Sequence, residues 1–147
     1  MSYNIIDATN AHVEQIEALE NKCFSSPWTA EQIKSQLKDD RHEFIAAVDG
    51  DKLLGYVGMM YILDEGYIAN VAVNPEFRRM GVADALIERL VQISLKLGLS
   101  FVTLEVRAGN TPAIELYSKH GFSPVGRRKN YYDLPKEDAI LMTKFLN

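Results

Sequence analysis

The sequence predicts a single α/β domain, with a mixed and mostly antiparallel central sheet of about seven strands flanked by four helices. One observation is the length of 147 residues, uninterrupted by a Pro/Gly/Ser-rich linker, a low-complexity tract or a repeat, which is typical of one domain covering residues 1–147. A second is the composition, 47% hydrophobic and 24% charged, which is that of a globular protein and argues against disordered and collagenous chains. The third is the order of the apolar patterns: strand, two helices, three strands, helix, strand, helix and two strands.

The first third of the chain predicts one strand, at residues 3–7, followed by two amphipathic helices. Apolar side chains recur at helical spacing in the first helix, at Val13, Ile16, Leu19 and Cys23. This spacing leaves three glutamates to face solvent, Glu14, Glu17 and Glu20. The second helix begins at a capping box, in which the Thr29 hydroxyl and the Gln32 side chain satisfy each other's backbone N–H groups.

The middle of the chain predicts a three-stranded antiparallel meander. Residues 44–48 and 52–61 are rich in apolar and aromatic side chains, and the glycine of Asp49-Gly50 tolerates the positive φ of a tight hairpin turn. A further strand, at residues 67–73, ends at Asn74-Pro75 because proline cannot donate to a sheet ladder.

The last part of the chain predicts two helices and three strands. The longest helix begins at Val82, and its apolar positions step by four and three residues to Leu97 before Gly98 ends it. Residues 101–106 alternate too little for a half-exposed strand, so we expect a central strand covered on both faces, in which Glu105 is out of place. The remaining elements are a helix that Asn110-Thr111-Pro112 starts and Gly121 ends, and strands at residues 122–125 and 139–145.

Charge and cysteine content exclude several classes of protein. The 16 basic and 20 acidic residues give a net charge of -4, which removes most of the attraction to nucleic-acid phosphates and favours a basic partner. The single cysteine, Cys23, cannot form an internal disulfide, and its place on an apolar stripe predicts a buried, inert thiol. Cysteines and histidines do not cluster at metal-ligand spacing, so we expect no metal site.

We expect a cytoplasmic protein without membrane association. The longest nearly apolar run, Leu53 to Leu63, is about half the span of a membrane helix. The N-terminal Met1-Ser2-Tyr3-Asn4 lacks the charged-then-apolar layout of a signal peptide.

The segment before the long helix has the features of an anion-binding loop. The backbone N–H groups of residues 78–83 and the helix dipole can converge there, and Gly81 and Ala83 allow a phosphate to approach closely. The segment is not a Walker loop, because Lys and Ser/Thr do not follow the glycine. A tight turn carrying two solvated arginines is the alternative interpretation.

The pattern Arg78-x-x-Gly81-x-Ala83 resembles the pyrophosphate loop of the GCN5-related N-acetyltransferases (GNAT). Further segments resemble the RimI branch of that family, which acetylates protein N-termini: residues 23–28, residues 104–110, residues 113–117, Gly121-Phe122 and Asn130-Tyr131-Tyr132. The resemblance runs from about residue 3 to residue 145 and implies the GNAT fold, in agreement with the predicted order of elements.

The resemblance implies acetyl-coenzyme A (acetyl-CoA) as the acetyl donor. A splayed fourth strand would pair with the pantetheine arm, and the loop backbone would hold the pyrophosphate. The donor-binding residues implied by the motif match are Val71, Ala72, Val73, Arg78, Arg79, Met80, Gly81, Val82, Ala83, Asp84 and Asn110, the last through its side chain. Two positions depart from the family pattern: Met80 replaces an often polar residue, and Asp84 brings a negative charge close to the pyrophosphate.

The resemblance also implies catalytic roles for Glu105 and Tyr117. Acetyl transfer from a thioester needs a free amine, a donor for the developing oxyanion and a proton for the departing thiolate. Glu105 would take the amine proton, directly or through water, Tyr117 would protonate the thiolate, and a strand N–H near Val71 would serve the oxyanion. Without the motif, Glu105 could instead pair with Arg107 or face solvent, and Tyr117 could be an aromatic residue at the edge of the core.

Aromatic residues predict the walls of a substrate groove. Tyr131 and Tyr132, together with the basic run 127–129, would form one wall, and Trp28 would form the other. Packing of Trp28 in the core and a solvated charge run are the alternatives.

The implied reaction is direct attack on acetyl-CoA by the α-amine of a protein N-terminus. In the RimI branch the acceptor is the N-terminal alanine of the eighteenth small-subunit ribosomal protein, whose basic character suits a net charge of -4. An α-amine has a pKa of about 8 against about 10.4 for lysine, which makes its deprotonation easier by roughly 3.3 kcal/mol. Alternatives are a small amine such as a polyamine or an aminoglycoside, a protein lysine, and a non-catalytic acyl-CoA-binding module. We expect no direct nucleic-acid partner and favour a monomer.

Overall fold

Strands and helices make up most of residues 2–146, the part of the chain that a computed structural model describes. Seven strands lie within that range: β1 (Asn4–Asp7), β2 (His42–Asp49), β3 (Lys52–Ile62), β4 (Glu65–Val73), β5 (Phe101–Arg107), β6 (Ser123–Asp133) and β7 (Lys136–Phe145). The same range holds four α-helices: α1 (Val13–Cys23), α2 (Ala30–Leu37), α3 (Val82–Lys96) and α4 (Thr111–Lys119). The predicted order of strands and helices is confirmed.

The strands form one sheet in the order β1-β2-β3-β4-β5-β7-β6. Every neighbouring pair is antiparallel except β4 and β5, which run parallel. Parallel neighbours need a long crossover connection, and α3 provides it here. The mixed, mostly antiparallel sheet is therefore confirmed.

Helices cover both faces of the sheet. On one face, Ile16 of α1 and Ile33 of α2 belong to a buried cluster with Phe44 and Tyr56. The cluster on the other face joins α3 and α4 to the sheet through Leu54, Leu86, Leu90, Val102, Tyr117 and Met142. Each large apolar side chain that is fully buried in this way contributes about 1.5–3 kcal/mol.

The predicted capping residues set the starts of two helices. The Thr29 hydroxyl accepts a hydrogen bond from the Gln32 N–H at 3.2 Å, and the Gln32 side chain accepts one from the Thr29 N–H at 2.9 Å. Asn110 caps α4, because its Oδ1 accepts a hydrogen bond from the Ala113 N–H at 3.3 Å. In the part of the chain that the structure covers, no helix has both the length and the apolar character to span a bilayer.

Two strands differ from their predicted form. β6 continues to Asp133 instead of ending at residue 125, because its charged segment pairs with β7 as an exposed outer strand. β5 is not covered on both faces: Leu104 and Val106 are buried, whereas Glu105 is half-buried and borders a cavity. Glu105 is therefore not out of place on its strand.

Several side chains also differ from their predicted burial, among them Cys23, which is half-buried instead of buried. Leu97 lies just beyond the end of α3 with 40% of its surface exposed, and Ile87 and Ser94 are the buried residues on that helix that the spacing did not predict. Glu20, expected to face solvent, is fully buried because three hydrogen-bond donors surround its carboxylate.

A β-bulge separates β4 from β5. The two strands pair only where residues 65–67 meet residues 101–103. At the next step Ala69 has no partner on β3, because its neighbours Ile68 and Asn70 pair with consecutive residues of that strand. A bulge bends the strand that carries it. The carboxyl-terminal halves of β4 and β5 are consequently unpaired with each other, and a gap opens between them.

Candidate active site

Two cavities of the described chain open in the gap between β4 and β5. The loop cavity, of about 570 Å³, is bordered by the segment that leads into α3. The aromatic cavity, of about 530 Å³, is bordered by Trp28, Tyr131 and Tyr132. Both cavities are lined by Cys23, Phe24, Val71, Asn110, Ala113 and Tyr117. Because they share these residues, a ligand in one cavity can touch a ligand in the other.

The loop cavity gathers the residues predicted to bind a donor, with one exception. Its lining includes Val71, Ala72, Val73, Arg78, Arg79, Gly81, Val82, Ala83, Asp84 and Asn110. Met80 is not part of that lining, and 40% of its surface is exposed. Met80 is therefore the predicted donor-binding residue that this cavity does not include.

Backbone N–H groups at the start of α3 border the loop cavity. Gly81 precedes the helix with a φ of +78°, and none of the side chains of residues 2–146 caps this end. The first hydrogen bond of the helix runs from the Ala85 N–H to the Gly81 carbonyl at 3.0 Å. The N–H groups of residues 82–84 consequently lack helical partners, and with the helix dipole they favour an anion.

Asp84 lies in this cavity, but its charge is paired. Its Oδ1 is 3.0 Å from Lys119 Nζ and 2.8 Å from His120 Nε2. Burial alone raises the pKa of Asp84, and the hydrogen bonds from His120 and Lys119 outweigh that effect, so the pKa is lowered overall. The departure from the family pattern at Asp84 is therefore compensated by the end of α4.

Asn110 has one side-chain atom committed to the fold. Its Oδ1 caps α4 through the Ala113 N–H, so its two amide N–H groups and the second lone pair of Oδ1 are left for a ligand. The side chain is exposed and lines both cavities.

The aromatic cavity brings together the predicted catalytic and groove residues, Glu105, Tyr117, Trp28, Tyr131 and Tyr132. Trp28 stands between α1 and α2 and stacks on Phe44, with ring centroids 6.1 Å apart. Tyr131 and Tyr132 come from β6 and meet edge to face at 5.1 Å. The two predicted walls thus belong to segments near opposite ends of the chain.

Glu105 is half-buried on the face of β5 that borders this cavity. The nearest cationic group is Arg128, whose Nε lies 4.0 Å from Oε2, and the Arg128 side chain is 54% exposed. Hydrogen bonding to the Glu105 carboxylate, together with burial, raises the pKa of Tyr131. The alternative pairing with Arg107 does not occur, because Arg107 pairs with Glu137 at 3.3 Å instead.

Tyr117 lies at the junction of the two cavities. It is 8% exposed and packs edge to face on Phe122, with ring centroids 5.9 Å apart. Burial, with a smaller contribution from Tyr132, raises the pKa of Tyr117 to about 12. The hydroxyl therefore keeps its proton at neutral pH.

Arg107 is a lining residue of the aromatic cavity that the sequence did not single out. Its guanidinium donates to the Pro135 carbonyl at 2.9 Å, the Leu134 carbonyl at 3.1 Å and Ser25 Oγ at 3.4 Å, and it lies 4.2 Å from the Tyr132 ring centre. The sequence does contain a signal for Arg107: it lies two residues after Glu105, and residues two apart on a strand share a face. Asn70 also lines the cavity, but its position depends on the bulge, for which the local sequence gives no signal.

Comparison with known proteins agrees with this geometry. Residues 13–122 match the model of the acetyltransferase (GNAT) family. A Bacillus subtilis (strain 168) protein named putative ribosomal protein bS18-alanine N-acetyltransferase is 35% identical over 137 residues, which cover 92% of this chain and 89% of the relative. The ribosomal protein bS18-alanine N-acetyltransferase of Escherichia coli (strain K12) is 33% identical over 126 residues, which cover 84% of each chain.

Similarity extends to three dimensions. The crystal structure of the ribosomal-protein-S18-alanine N-acetyltransferase from Escherichia coli superposes with a TM-score of 0.91 and 29% identity, over 99% of this chain and 95% of that one. The sheet with its gap between β4 and β5 is thus the GNAT fold, and the chain belongs to the GNAT family of acetyltransferases.

Proposed function

We propose that this chain transfers an acetyl group from acetyl-CoA to the α-amine of the N-terminal alanine of ribosomal protein bS18. The observation that carries the proposal is the junction of the two cavities at Tyr117, with the Glu105 carboxylate in the lining of one of them. The names of the B. subtilis and E. coli relatives supply the acceptor.

Acetyl-CoA fits the chemistry of the loop cavity. The N–H groups at the start of α3 and the exposed side chains of Arg78 and Arg79 suit a pyrophosphate. The edge of β4 that faces the gap is unpaired over residues 68–73, and such an edge suits an amide-bearing arm that pairs as another strand would. When bound, acetyl-CoA supplies the activated thioester. The residues that would hold it are Val71, Ala72, Val73, Arg78, Arg79, Met80, Gly81, Val82, Ala83, Asp84 and Asn110.

Glu105 serves as the base in this proposal. It takes a proton from the acceptor amine, directly or through one water. An α-amine with a pKa of about 8 is already partly neutral near pH 7, so one carboxylate is sufficient. A lysine amine, with a pKa of about 10.4, is harder for the same base to deprotonate, which favours the N-terminus as acceptor.

Tyr117 serves as the acid that protonates the departing thiolate. Burial raises its pKa to about 12, which keeps the proton in place until it is needed but makes donation more costly. The same desolvation raises the pKa of a thiolate formed beside it, which restores part of the driving force for the transfer. An N–H of β4 near Val71 is the proposed donor to the developing oxyanion.

The whole chain acts as one N-acetyltransferase domain in this proposal. Trp28 lies near the amino end of the chain and Tyr131 and Tyr132 lie near the carboxyl end, so the acceptor groove needs both. A ribosomal protein as acceptor would place the reaction in the cytoplasm.

Intact-mass spectrometry tests the acceptor. A lysine-containing peptide that begins Ala-Arg-Tyr is offered with its N-terminus either free or blocked, with acetyl-CoA as donor in both arms. We expect the mass of a single acetyl group on the free peptide and none on the blocked one. Modification of the blocked peptide would assign the acceptor to lysine. No transfer in either arm, with acetyl-CoA binding confirmed, would favour a small amine, a different protein acceptor or a non-catalytic module.

A further inference from the structure

A carboxylate that the proposed mechanism does not use lies buried next to the aromatic cavity. Glu20 of α1 is 0% exposed. It accepts hydrogen bonds from the Tyr56 hydroxyl, from Asn70 Nδ2 at 2.9 Å and from the Trp28 N–H at 2.9 Å. Burying a carboxylate is costly unless such partners are present. The three partners come from β3, β4 and the segment between α1 and α2, so Glu20 joins these elements.

Two of the three partners belong to the aromatic cavity. Trp28 and Asn70 are lining residues, whereas Glu20 and Tyr56 are not. Asn70 directly follows the bulge residue of β4 and precedes Val71, which lines both cavities. Glu20 therefore touches no ligand itself but holds two residues that border one.

The contact with Glu20 also fixes the orientation of the Asn70 amide. An ionised carboxylate only accepts hydrogen bonds. Asn70 must therefore donate to Glu20 through Nδ2, and its Oδ1 points away from Glu20. Among residues 2–146, Oδ1 has no hydrogen-bond partner, and it is not a buried atom. An amide oxygen in this position can accept a hydrogen bond from an amine or a peptide N–H.

We infer that Glu20 is a positioning residue of the acceptor site, an inference that rests on the proposed function. Glu20 turns the Asn70 amide so that Oδ1 accepts a hydrogen bond from an N–H at the acceptor N-terminus. Through the Trp28 N–H, it holds the opposite wall of the groove at the same time. Glu20, Asn70 and Trp28 are not lining residues of the loop cavity, so we expect acetyl-CoA binding to be independent of these contacts.

Steady-state kinetics of Glu20→Gln, with the Ala-Arg-Tyr peptide and acetyl-CoA as substrates, tests the inference. Glutamine keeps the length of the side chain but exchanges one accepting oxygen for a donating NH2, so it cannot satisfy all three partners. We expect the KM for the peptide to rise about tenfold, since a hydrogen bond to a charged group is lost, while the KM for acetyl-CoA changes less than about twofold.

Glu17→Gln is the matched control. Glu17 lies on the same helix and accepts a hydrogen bond from the Ala30 N–H at 2.6 Å, but within residues 2–146 its carboxylate has no hydrogen bond to a lining residue of the aromatic cavity. We expect both KM values of this variant to equal those of the wild type. If Glu17→Gln raises the KM for the peptide as much as Glu20→Gln does, the inference is wrong.

Asn70→Ala separates positioning from a general loss of stability. This variant leaves the Glu20–Tyr56 contact in place and should show the same rise in peptide KM. The double variant should be no worse than the more impaired single variant, because both changes remove the same contact. An unchanged peptide KM in Asn70→Ala would overturn the inference. So would a Glu20→Gln variant in which the KM values for peptide and acetyl-CoA rise by the same factor while thermal stability falls.

Tryptophan fluorescence distinguishes a failure of this inference from a failure of the proposed function. Trp28 is the single tryptophan of the chain, so acrylamide quenching reports on that wall without any substrate. We expect stronger quenching in Glu20→Gln than in the wild type or in Glu17→Gln. A wild-type protein that does not acetylate the peptide contradicts the proposed function, whereas unchanged quenching in Glu20→Gln contradicts the hold of Glu20 on Trp28.

Discussion

The chemistry of the site depends on two side chains with different surroundings. Glu105 is half-buried, with Arg128 Nε 4.0 Å from its carboxylate, and its negative charge helps to raise the pKa of Tyr131. Tyr117 is nearly inaccessible and keeps its proton. A carboxylate within reach of water suits a base, and a buried phenol suits an acid, so each environment matches one proposed role.

Replacement of the proposed base should slow the chemical step. For Glu105→Gln we expect kcat/KM for the peptide to fall about 10²–10³-fold, because a positioned base contributes about that factor, while acetyl-CoA affinity is retained. The deficit should shrink as the pH rises above about 8, where the α-amine loses its proton without help. Initial rates across this pH range and calorimetric titration with acetyl-CoA provide the measurement.

Glu115→Gln, an exposed glutamate of α4, serves as the control for Glu105→Gln and should be as active as the wild type. A Glu105→Gln variant within threefold of wild-type kcat/KM, on the order of a measurement error, would remove Glu105 from the proposed mechanism.

The raised pKa of Tyr117 predicts a loss of stability in alkali. The pKa is about 12 in the folded chain and about 10 in the unfolded chain, so between these values only the unfolded state is ionised. The contribution of Tyr117 to the free energy of unfolding is about 3 kcal/mol, since each of the two pKa units corresponds to about 1.4 kcal/mol. It is fully present below about pH 10 and is lost as the pH rises through 12. Urea unfolding from pH 8 to pH 12 should show a shallower decline in Tyr117→Phe than in the wild type, and equal slopes would contradict the assignment.

At the residue scale, the sequence predicts side chains that lie in a motif and misses those fixed by distant partners. Glu105 and Tyr117 were predicted from residues around them and do border one cavity. Glu20 was predicted to face solvent because it is a charged residue outside the apolar positions of the helix, yet it is fully buried. Its partners Tyr56 and Asn70 are 36 and 50 residues away in the sequence, so the local periodicity of the helix cannot predict these contacts.

At the element scale, one arginine joins the segments that form the acceptor groove. Arg107 of β5 binds both carbonyl groups of the turn between β6 and β7 and also reaches Ser25, beyond the end of α1. The planar guanidinium makes these contacts with separate N–H groups, which a lysine ammonium cannot do in the same plane.

Arg107→Lys should loosen the groove without affecting the donor side. We expect the KM for the peptide to rise about tenfold and the free energy of unfolding to fall by about 1–2 kcal/mol, because two or three hydrogen bonds are lost. Initial rates at varied peptide and varied acetyl-CoA, with urea unfolding, provide the measurement. Arg127→Lys is the control, since Arg127 is exposed and pairs with Asp138 outside the cavity. A rise in the KM for acetyl-CoA equal to that for the peptide would contradict a role confined to the groove.

The helices were predictable because their signals are local, whereas the gap in the sheet was not. The Thr29 capping box and the Asn110 cap lie within three residues of the groups that they satisfy. The gap arises because Ala69 is an extra residue opposite β3, and its presence depends on the register between two strands. The strand β6 was predicted to end at residue 125, before its charged run. The run is exposed and has no apolar pattern, so only its pairing with β7 shows that it is part of the strand.

At the scale of the whole molecule, the sheet consists of two parts with a weak junction. β1 to β4 form one part and β5 to β7 form the other, and only residues 65–67 and 101–103 pair across the boundary. Beyond that junction the two parts are separated by the cavities that would hold the substrates. A ligand in the gap therefore contacts both parts and should stabilise the entire fold.

Acetyl-CoA should raise the unfolding temperature by bridging these two parts. At about 100 times Kd, a ligand that binds only the folded state adds about 2.7 kcal/mol. For a chain of this size that corresponds to a rise in Tm of about 5–10 °C. Hydrogen exchange should slow at the same time in β4 over residues 68–73, whose gap-facing backbone groups are unpaired with β5.

Gly81→Val provides the matched control for this stabilisation. Gly81 has a φ of +78°, where a β-branched residue is strained, so the substitution should distort the start of α3 and weaken the anion site. We expect the Tm of this variant to rise by less than about half of the wild-type increase at the same acetyl-CoA concentration. An equal rise in both proteins would show that the N–H groups at the start of α3 do not hold the donor. Stabilisation without slower exchange in β4 would show that the donor binds outside the gap, because a ligand between β4 and β5 must cover the edge of β4.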